Sequence, residues 1–256
     1  MKLRFGILGA VLLTAITILS AADAPYIGKW KLNPEKSKLT GDIANLEKMP
    51  DGSIHIQGGD TGFTFKLDGM EYPMPDGGTT AWKPLDANTW ERVDRANGKV
   101  RMTGRLSSQG DVLSIAYQSM KPDGGKLEGG QKWKRVSGGP GFLGKWRNTE
   151  EKSATTAMVL EANGPDGVTL KFPDDGTVCE AKFDGKDYPL AGPLRGGKTT
   201  LTLKKTGPSS FEVTEKLEGK PVYLDKYTVS GDGKTLMDEG TPVKNKEITK
   251  AVFDRL

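Results

Sequence analysis

Only one cysteine and one histidine, Cys179 and His55, occur among the 256 residues of this sequence. A single cysteine excludes an intramolecular disulfide. Cys179 lies in a candidate strand, Thr177 to Ala181, and the sequence offers no partner that would lower the pKa of its thiol, which predicts a buried, unreactive cysteine. A catalytic zinc site needs two or three nitrogen or sulfur ligands, and a serine-type triad needs a histidine together with a Gly-x-Ser-x-Gly turn. We therefore expect no metal, no cofactor and no triad, and we interpret His55 as a solvent-facing strand residue.

Net charge is also small, and no region concentrates charge of one sign. The formal charge of +4 falls to +2 without Lys2 and Arg4, which lie in an N-terminal segment that we expect to be removed. Lysines alternate with acidic residues along the rest of the chain. Nucleic acids and anionic membranes are bound by clustered cations, so the sequence indicates neither partner.

Long apolar runs are absent except at the N-terminus. Residues Phe5 to Ile18 carry no charge, follow Lys2 and Arg4, and precede small residues suited to cleavage. This order is typical of a secretory signal peptide, and the run is shorter than the roughly 20 residues that span a bilayer. We predict a signal peptide at residues 1–24, export to the periplasm or the extracellular space, and no membrane span after cleavage. An uncleaved N-terminal anchor is the alternative.

Glycine and proline, by contrast, are abundant, with 34 and 15 residues. They separate short stretches of alternating apolar and polar residues, and turn sequences such as Asp68-Gly69 and Asn97-Gly98 recur between them. Both features are typical of antiparallel strands joined by tight turns. About nine strands are predicted in each half, with connections too short for crossover helices, which indicates a meander. Such a sheet closes into a barrel or folds into a sandwich, and an up-and-down barrel is the simplest closure.

A duplicated motif divides the chain into two halves. Gly28-Lys29-Trp30 is followed by Glu35-Lys36-Ser37, and the same order returns as Gly144-Lys145-Trp146 and Glu151-Lys152-Ser153. Repetition of this kind indicates tandem domains of the same fold. After the signal peptide at residues 1–24, we assign residues 25–136 to a first β-barrel repeat, 137–141 to a Gly/Pro linker, and 142–256 to a second repeat.

The Gly-x-Trp motif on the first strand of each meander resembles the calycin group, which comprises the lipocalins and the fatty-acid-binding proteins. More closely, Gly28 to Ser37 and Asp184 to Pro189 are similar to uncharacterised lipocalin-like proteins secreted by bacteria. The resemblance implies two tandem all-β barrels, each closed at one end by the motif tryptophan beneath an arginine from the last strand. The implied structural residues are Gly28 and Trp30 with Arg135, and Gly144 and Trp146 with Arg255.

The same resemblance implies binding of a small hydrophobic or amphipathic ligand inside one or both barrels. The Arg-x-Tyr carboxylate clamp of the fatty-acid-binding proteins is absent, which argues against fatty acids. The candidate ligand-lining residues are aromatic: Phe63, Phe65, Tyr72, Trp82, Trp90, Phe183, Tyr188, Phe211 and Tyr223.

Two alternatives stay open at this point. Aromatic residues also fill the cores of small barrels, and the protein would then be a cell-envelope structural or interaction module without a ligand. We expect no enzymatic activity, although abundant carboxylates leave room for a hydrolase built on a pair of them. The sequence does not identify a protein partner.

Overall fold

The computed structural model describes residues 24–154, 156–244 and 247–256, and this part of the chain is all β. The predicted signal peptide lies, except for Ala24, outside the described residues. Among the described residues, no helix has the length and hydrophobicity needed to cross a membrane.

Within the described residues, twenty strands form two antiparallel sheets of ten strands each. The strands of the first half of the chain are β1 (Gly28–Leu32), β2 (Ile43–Lys48), β3 (Ile54–Gly58), β4 (Thr61–Phe65), β5 (Glu71–Pro73), β6 (Thr79–Asp86), β7 (Thr89–Ala96), β8 (Lys99–Gln109), β9 (Val112–Met120) and β10 (Lys126–Ser137). Those of the second half are β11 (Gly144–Lys152), β12 (Ala157–Ala162), β13 (Gly167–Phe172), β14 (Thr177–Lys182), β15 (Asp187–Pro189), β16 (Thr199–Gly207), β17 (Ser210–Leu217), β18 (Lys220–Val229), β19 (Thr235–Pro242) and β20 (Thr249–Arg255).

Both sheets curl into nearly closed barrels. The first barrel has the strand order β4-β3-β2-β11-β10-β9-β8-β7-β6-β5, and the second has β14-β13-β12-β1-β20-β19-β18-β17-β16-β15. In the second barrel the backbones of Val178 and Ala191 exchange hydrogen bonds of 2.7 and 2.8 Å, which joins the two ends of the sheet. In the first, the amide of Gly69 donates to the carbonyl of Trp82 at 2.8 Å. The predicted all-β, two-barrel fold is confirmed.

The tenth strand of each sheet is a short one that the sequence pattern does not reveal. These strands, β5 and β15, are three residues long and contain the repeated Tyr-Pro pairs that follow the Asp-Gly turns. Three residues are too few to show an alternation of apolar and polar side chains, so the pattern predicts nine strands instead of ten.

The two motif strands are exchanged between the barrels. Strand β1 lies between β12 and β20, where Trp30 is paired with Met158 and Arg255. Strand β11 lies between β10 and β2, where Trp146 is paired with Arg135 and Ala44. Each Gly-Lys-Trp strand therefore completes the barrel that is built by the other half of the chain.

The sheets consequently do not follow the predicted division of the chain at residues 137–141. That Gly/Pro segment joins β10 to β11 within the first barrel, and the chain crosses between barrels after β1 and again after β11. Two crossings connect the barrels, where an unexchanged tandem repeat would have one. The exchange is sterically possible because both copies carry the same Gly-Lys-Trp sequence, so each strand fits either barrel.

Aromatic rings pack against one another in the core of each barrel. In the first barrel the ring centroids of Phe65 and Trp82 are 4.4 Å apart. In the second, the rings of Phe211 and Tyr227 stack at 4.8 Å, and Tyr26 meets Phe211 edge-on at 4.9 Å. Such pairs contribute about 0.5–1.5 kcal/mol each beyond the burial of their area.

Candidate binding site at the barrel mouths

One end of each barrel is a floor made of a tryptophan beneath an arginine. The guanidinium carbon of Arg255 lies 4.1 Å from the ring centroid of Trp30, and that of Arg135 lies 4.0 Å from the ring of Trp146. The expected type of contact is present. The expected partners, Trp30 with Arg135 and Trp146 with Arg255, are wrong, because the motif strands have changed barrels.

Hydrogen bonds seal both floors in the same way. The indole Nε1 of Trp30 donates to the carbonyl of Tyr26 at 2.9 Å, and that of Trp146 donates to the carbonyl of Phe142 at 2.9 Å. The guanidinium of Arg135 also donates to the carbonyl of Gly141 at 2.7 Å. Both tryptophans are completely buried.

The motif glycines are required at the floors by their backbone conformation and by crowding. Gly28 and Gly144 have φ angles of 151° and 125°, which L-residues rarely adopt. A Cβ on Gly28 would lie 2.5 Å from a guanidinium nitrogen of Arg255, and one on Gly144 would collide with the carbonyl of Ser137.

Most of the predicted ligand-lining aromatics belong to the packed cores or to surface turns. Eight of them pack in or against the cores: Phe63, Phe65, Tyr72, Trp82, Trp90, Phe183, Tyr188 and Phe211. Trp82 also borders a small cleft of about 160 Å³. The hydroxyls of Tyr72 and Tyr188 donate to Asp68 and Asp184 at 2.7 and 3.0 Å, in the two equivalent Asp-Gly turns. Of the nine, Tyr223 lines a large cavity between the barrels.

The single histidine and the single cysteine, His55 and Cys179, do not line the cavity between the barrels. His55 Nδ1 lies 3.1 Å from the hydroxyl of Thr64 on a neighbouring strand. Burial raises the pKa of the Cys179 thiol to about 11, so at neutral pH it is almost entirely un-ionised. The residues that the structure describes contain no group of three or more His, Cys, Asp or Glu side chains placed to hold a metal ion.

The ends of the barrels opposite the floors, which we call the first mouth and the second mouth, lie against each other. The first mouth forms a cavity of about 380 Å³ whose lining includes Arg92, Asp94 and Arg101. The second forms a cavity of about 390 Å³ whose lining includes Glu215 and Tyr223. Each cavity is completed by residues of the other barrel.

Two equivalent Gly-Gly loops meet where the mouths touch. Asp76-Gly77-Gly78 precedes β6, and Arg195-Gly196-Gly197 occupies the same place before β16. Asp76 and Arg195 line both cavities. A Cβ on Gly77 would collide with the carbonyl oxygen of Gly196, so the glycines permit the backbones to touch. The amide of Lys198 donates to the carbonyl of Asp76 at 3.2 Å across this contact.

Charges in the first mouth are paired with one another. Arg92 and Asp94 form an ion pair of 2.6 Å, and the Thr80 hydroxyl donates to Asp94 at 2.7 Å. Asp76 forms an ion pair with Arg101. Burial alone would raise the pKa of Asp76, but the hydrogen bond from Arg101 and further favourable contacts lower it below its ordinary value. This mouth therefore offers little unpaired charge to a ligand.

The second mouth leads instead to three carboxylates inside the barrel. Cross-strand pairing places Glu215 opposite Tyr223, and Asp238 opposite Tyr227. Asp225 lies opposite Gly240. A Cβ on Gly240 would lie 2.5 Å from the Tyr223 ring and 2.9 Å from Asp225 Oδ1, so the glycine leaves space for both side chains. The acidic groups thus descend from the rim at Glu215 towards Tyr227.

Burial is the main influence on these carboxylates. It raises the pKa of Asp238 to about 7, and together with the charges of Asp238 and Glu215 it raises that of Asp225 well above the ordinary range. Burial also raises the pKa of Glu215, against the opposing effect of Arg195. For Tyr223, burial is the first cause of a pKa of about 12. Three acids share a space in which ionisation is costly.

Glu215, Asp225 and Asp238 are not among the site residues predicted from the sequence. A signal was present in the alternation of their strands, since each occupies the same face as buried apolar neighbours such as Val213, Tyr227 or Leu236. A carboxylate in the inward phase of a strand marks an interior acid. The meeting of Asp76 with Arg195, by contrast, depends on how the two barrels pack and leaves no such signal.

Comparison with known proteins finds no matching family model, no matching curated protein and no matching solved structure. The class of this protein is therefore defined by its structure alone. It has two nearly closed antiparallel barrels with exchanged first strands and adjoining mouths.

Proposed function

We propose that this protein is an exported, lipocalin-like binding protein that holds one small amphipathic molecule in the second mouth without transforming it. The observation that carries the proposal is the cavity of about 390 Å³ between the barrels. Small-molecule sites in proteins occupy about 300–1,000 Å³, are mostly apolar, and contain a few convergent polar groups.

The walls of the second mouth combine these two kinds of surface. Apolar side chains come from both barrels: Ile43 and Trp133 from the first, and Leu217, Val222 and Pro242 from the second. Polar groups converge on one side, where Glu215 and the hydroxyl-bearing Tyr223 lead to the interior carboxylates. An amphipathic molecule could place its apolar part between the barrels and its polar group over the second barrel.

The filled cores fix the depth at which a ligand would bind. Phe211, Tyr227 and Leu236 occupy the second barrel between the carboxylates and the Trp30 floor, and all three are buried. The ligand would therefore lie at the mouth, and not deep in the barrel as in the sequence-based expectation.

The second candidate function is a cell-envelope structural or interaction module with no ligand. The packed aromatic cores favour it, because most of the predicted ligand-lining residues fill the barrels. The two candidates differ in what happens at the mouths, since a structural module would leave the second cavity to water.

A neutral, apolar fluorescent probe distinguishes them. Nile red added to the native protein should gain fluorescence and saturate at one molecule per chain, with the stoichiometry checked by native mass spectrometry. Leu217→Trp narrows the second mouth and should abolish the signal. Leu127→Trp, the matched change in the first mouth, should leave it intact. Absence of binding, or loss with Leu127→Trp alone, would overturn the assignment to the second mouth.

Export is a separate part of the proposal, and it rests on the charged start and apolar run of residues 1–24. N-terminal sequencing of the protein recovered from the periplasm or medium of an expressing bacterium should give a chain that begins between residues 21 and 25. Recovery of the uncleaved chain from the cytoplasm would contradict it.

A further inference from the structure

We propose that the ligand of the second mouth is a cation, an alkylammonium or guanidinium group with an apolar tail, bound by Glu215, Asp225 and Asp238. This inference rests on the proposed function and adds the chemical class of the ligand.

The carboxylates lie in sequence from the wall of the cavity into the barrel, with Asp225 and Asp238 behind that wall. Glu215 is itself part of the cavity wall. Tyr223, the cross-strand partner of Glu215, lies on β18. Asp225 follows two residues later on the same face of β18. Tyr227, the cross-strand partner of Asp238, comes two residues after Asp225. A cationic head that enters past Glu215 therefore meets the other two acids in turn, while its tail remains between the barrels.

The described interior of the second barrel contains no cation to balance these acids. The buried residues described in the second barrel include no lysine and no arginine. Arg195 stands at the rim, where its guanidinium donates to the Thr177 hydroxyl at 3.0 Å and lies 3.6 Å from Asp175. The first mouth contrasts with this arrangement, because Arg92 and Arg101 neutralise its acids there.

One oxygen of an interior acid also lacks a hydrogen-bond partner, although Tyr227 forms a side-chain hydrogen bond with the same carboxyl group. Oδ1 of Asp238 is buried and accepts no hydrogen bond from any described residue. Buried polar atoms in native proteins almost always have a partner, so an atom without one is a position where a ligand's donor would fit. An ammonium or guanidinium group carries donors and no acceptor, which matches a pocket that contains three carboxyl groups.

Proton release gives this proposal a signature of its own. Asp238 interacts with Asp225, Tyr223, Tyr227 and Glu239, and Glu215 acts on Asp225. The charged residues Asp42, Asp76 and Arg195 line the cavity outside them. Because burial among these groups favours the protonated carboxyl, an entering cation should drive a proton off the cluster. Affinity for the cation should accordingly rise as the pH increases through about 7.

Isothermal titration calorimetry on the native chain tests the charge of the ligand directly. The probes are n-alkylammonium ions of four to ten carbons, with the n-alcohols and n-alkanoates of the same lengths. We expect the best ammonium ion to bind at least tenfold more tightly than the matching alcohol, and the alkanoate not to bind. Equal affinity for alcohol and ammonium, or a preference for alkanoate, would overturn the cation assignment and leave the proposed function standing. No binding by any series would overturn the cation assignment, and absence of Nile red binding as well would overturn both.

Variants identify the acids. Asp225→Asn and Asp238→Asn should each weaken ammonium binding about tenfold or more, and Asp238→Asn should reduce the proton release measured in buffers of different ionisation heat. Glu212→Gln, on the exposed face of the same strand as Glu215, is the matched control and should change neither. Retained binding of Nile red shows that each variant is folded. Unchanged ammonium affinity in both aspartate variants would overturn the proposal.

Discussion

Replacement of Trp30 by alanine should destabilise the second barrel, although Trp30 lies in the first half of the sequence. Its side chain is completely buried against the second core, and the change removes both that packing and the contact with Arg255. Truncation of a buried tryptophan costs about 3–5 kcal/mol, and a lost cation–π contact about 0.5–2 kcal/mol. A loss on the order of 4 kcal/mol would be a large part of the stability of an ordinary domain.

Hydrogen–deuterium exchange read by mass spectrometry locates the effect. In Trp30→Ala, protection should fall in β12 and β20, which flank β1, while β2 and β10 keep theirs. Trp146→Ala is the matched control, and it should give the reverse result because β11 lies between β10 and β2. If Trp30→Ala exposes β2 and β10 instead, the motif strands are not exchanged and the topology described above is wrong.

Three further predictions concern the contact between loops, the thiol and the acid cluster. Gly77→Ala should lower the free energy of unfolding by about 1–3 kcal/mol more than Gly69→Ala in denaturant titrations. Both glycines have a positive φ, but of the two only Gly77 faces another backbone. Equal losses of stability would show that the loop contact contributes nothing. Cys179, with its pKa raised to about 11 by burial, should react with a disulfide reagent at pH 8 about 100-fold more slowly than a free thiol, and at the ordinary rate in denaturant; rapid labelling of the native protein would refute this. The pKa of Asp238 is near 7 in the folded chain and near 3.8 in an unfolded one, so the unfolded state loses its proton first as the pH rises. The free energy of unfolding of the wild type should therefore fall between about pH 4 and pH 7, by about 1.4 kcal/mol for each unit by which the two pKa values differ. Asp238→Asn should flatten that fall, and an unchanged pH profile would contradict the assignment.

The meander could be predicted from the sequence because its signals are local. Alternation and turn sequences such as Asp68-Gly69 report only on neighbouring residues, and they place eighteen of the twenty strands close to their positions. The exchange of β1 and β11 is not local. Both strands carry Gly-Lys-Trp and fit the same floor, so the choice between barrels depends on the crossings and on the packing of the whole molecule.

The candidate site also combines features that a local sequence pattern predicts with features that depend on distant residues. That Asp238 points inward while Glu239 points outward follows from strand alternation. The sequence alone does not show that Asp238 lies near Asp225 and Glu215, since this requires the register of three strands. The aromatic residues do not distinguish a filled barrel from a hollow one, because rings such as Phe65 and Phe211 can pack in a core as well as line a cavity.

Binding of a small amphipathic cation at the second mouth can be measured by a heteronuclear NMR titration of the isotope-labelled native protein with octylammonium. Amide shifts should be largest at Glu215, Tyr223 and Asp225 and should saturate at one ligand per chain. Shifts concentrated around Arg92 and Asp94 in the first mouth, shifts on the outer faces of the barrels, or no shifts at all would contradict binding at the second mouth.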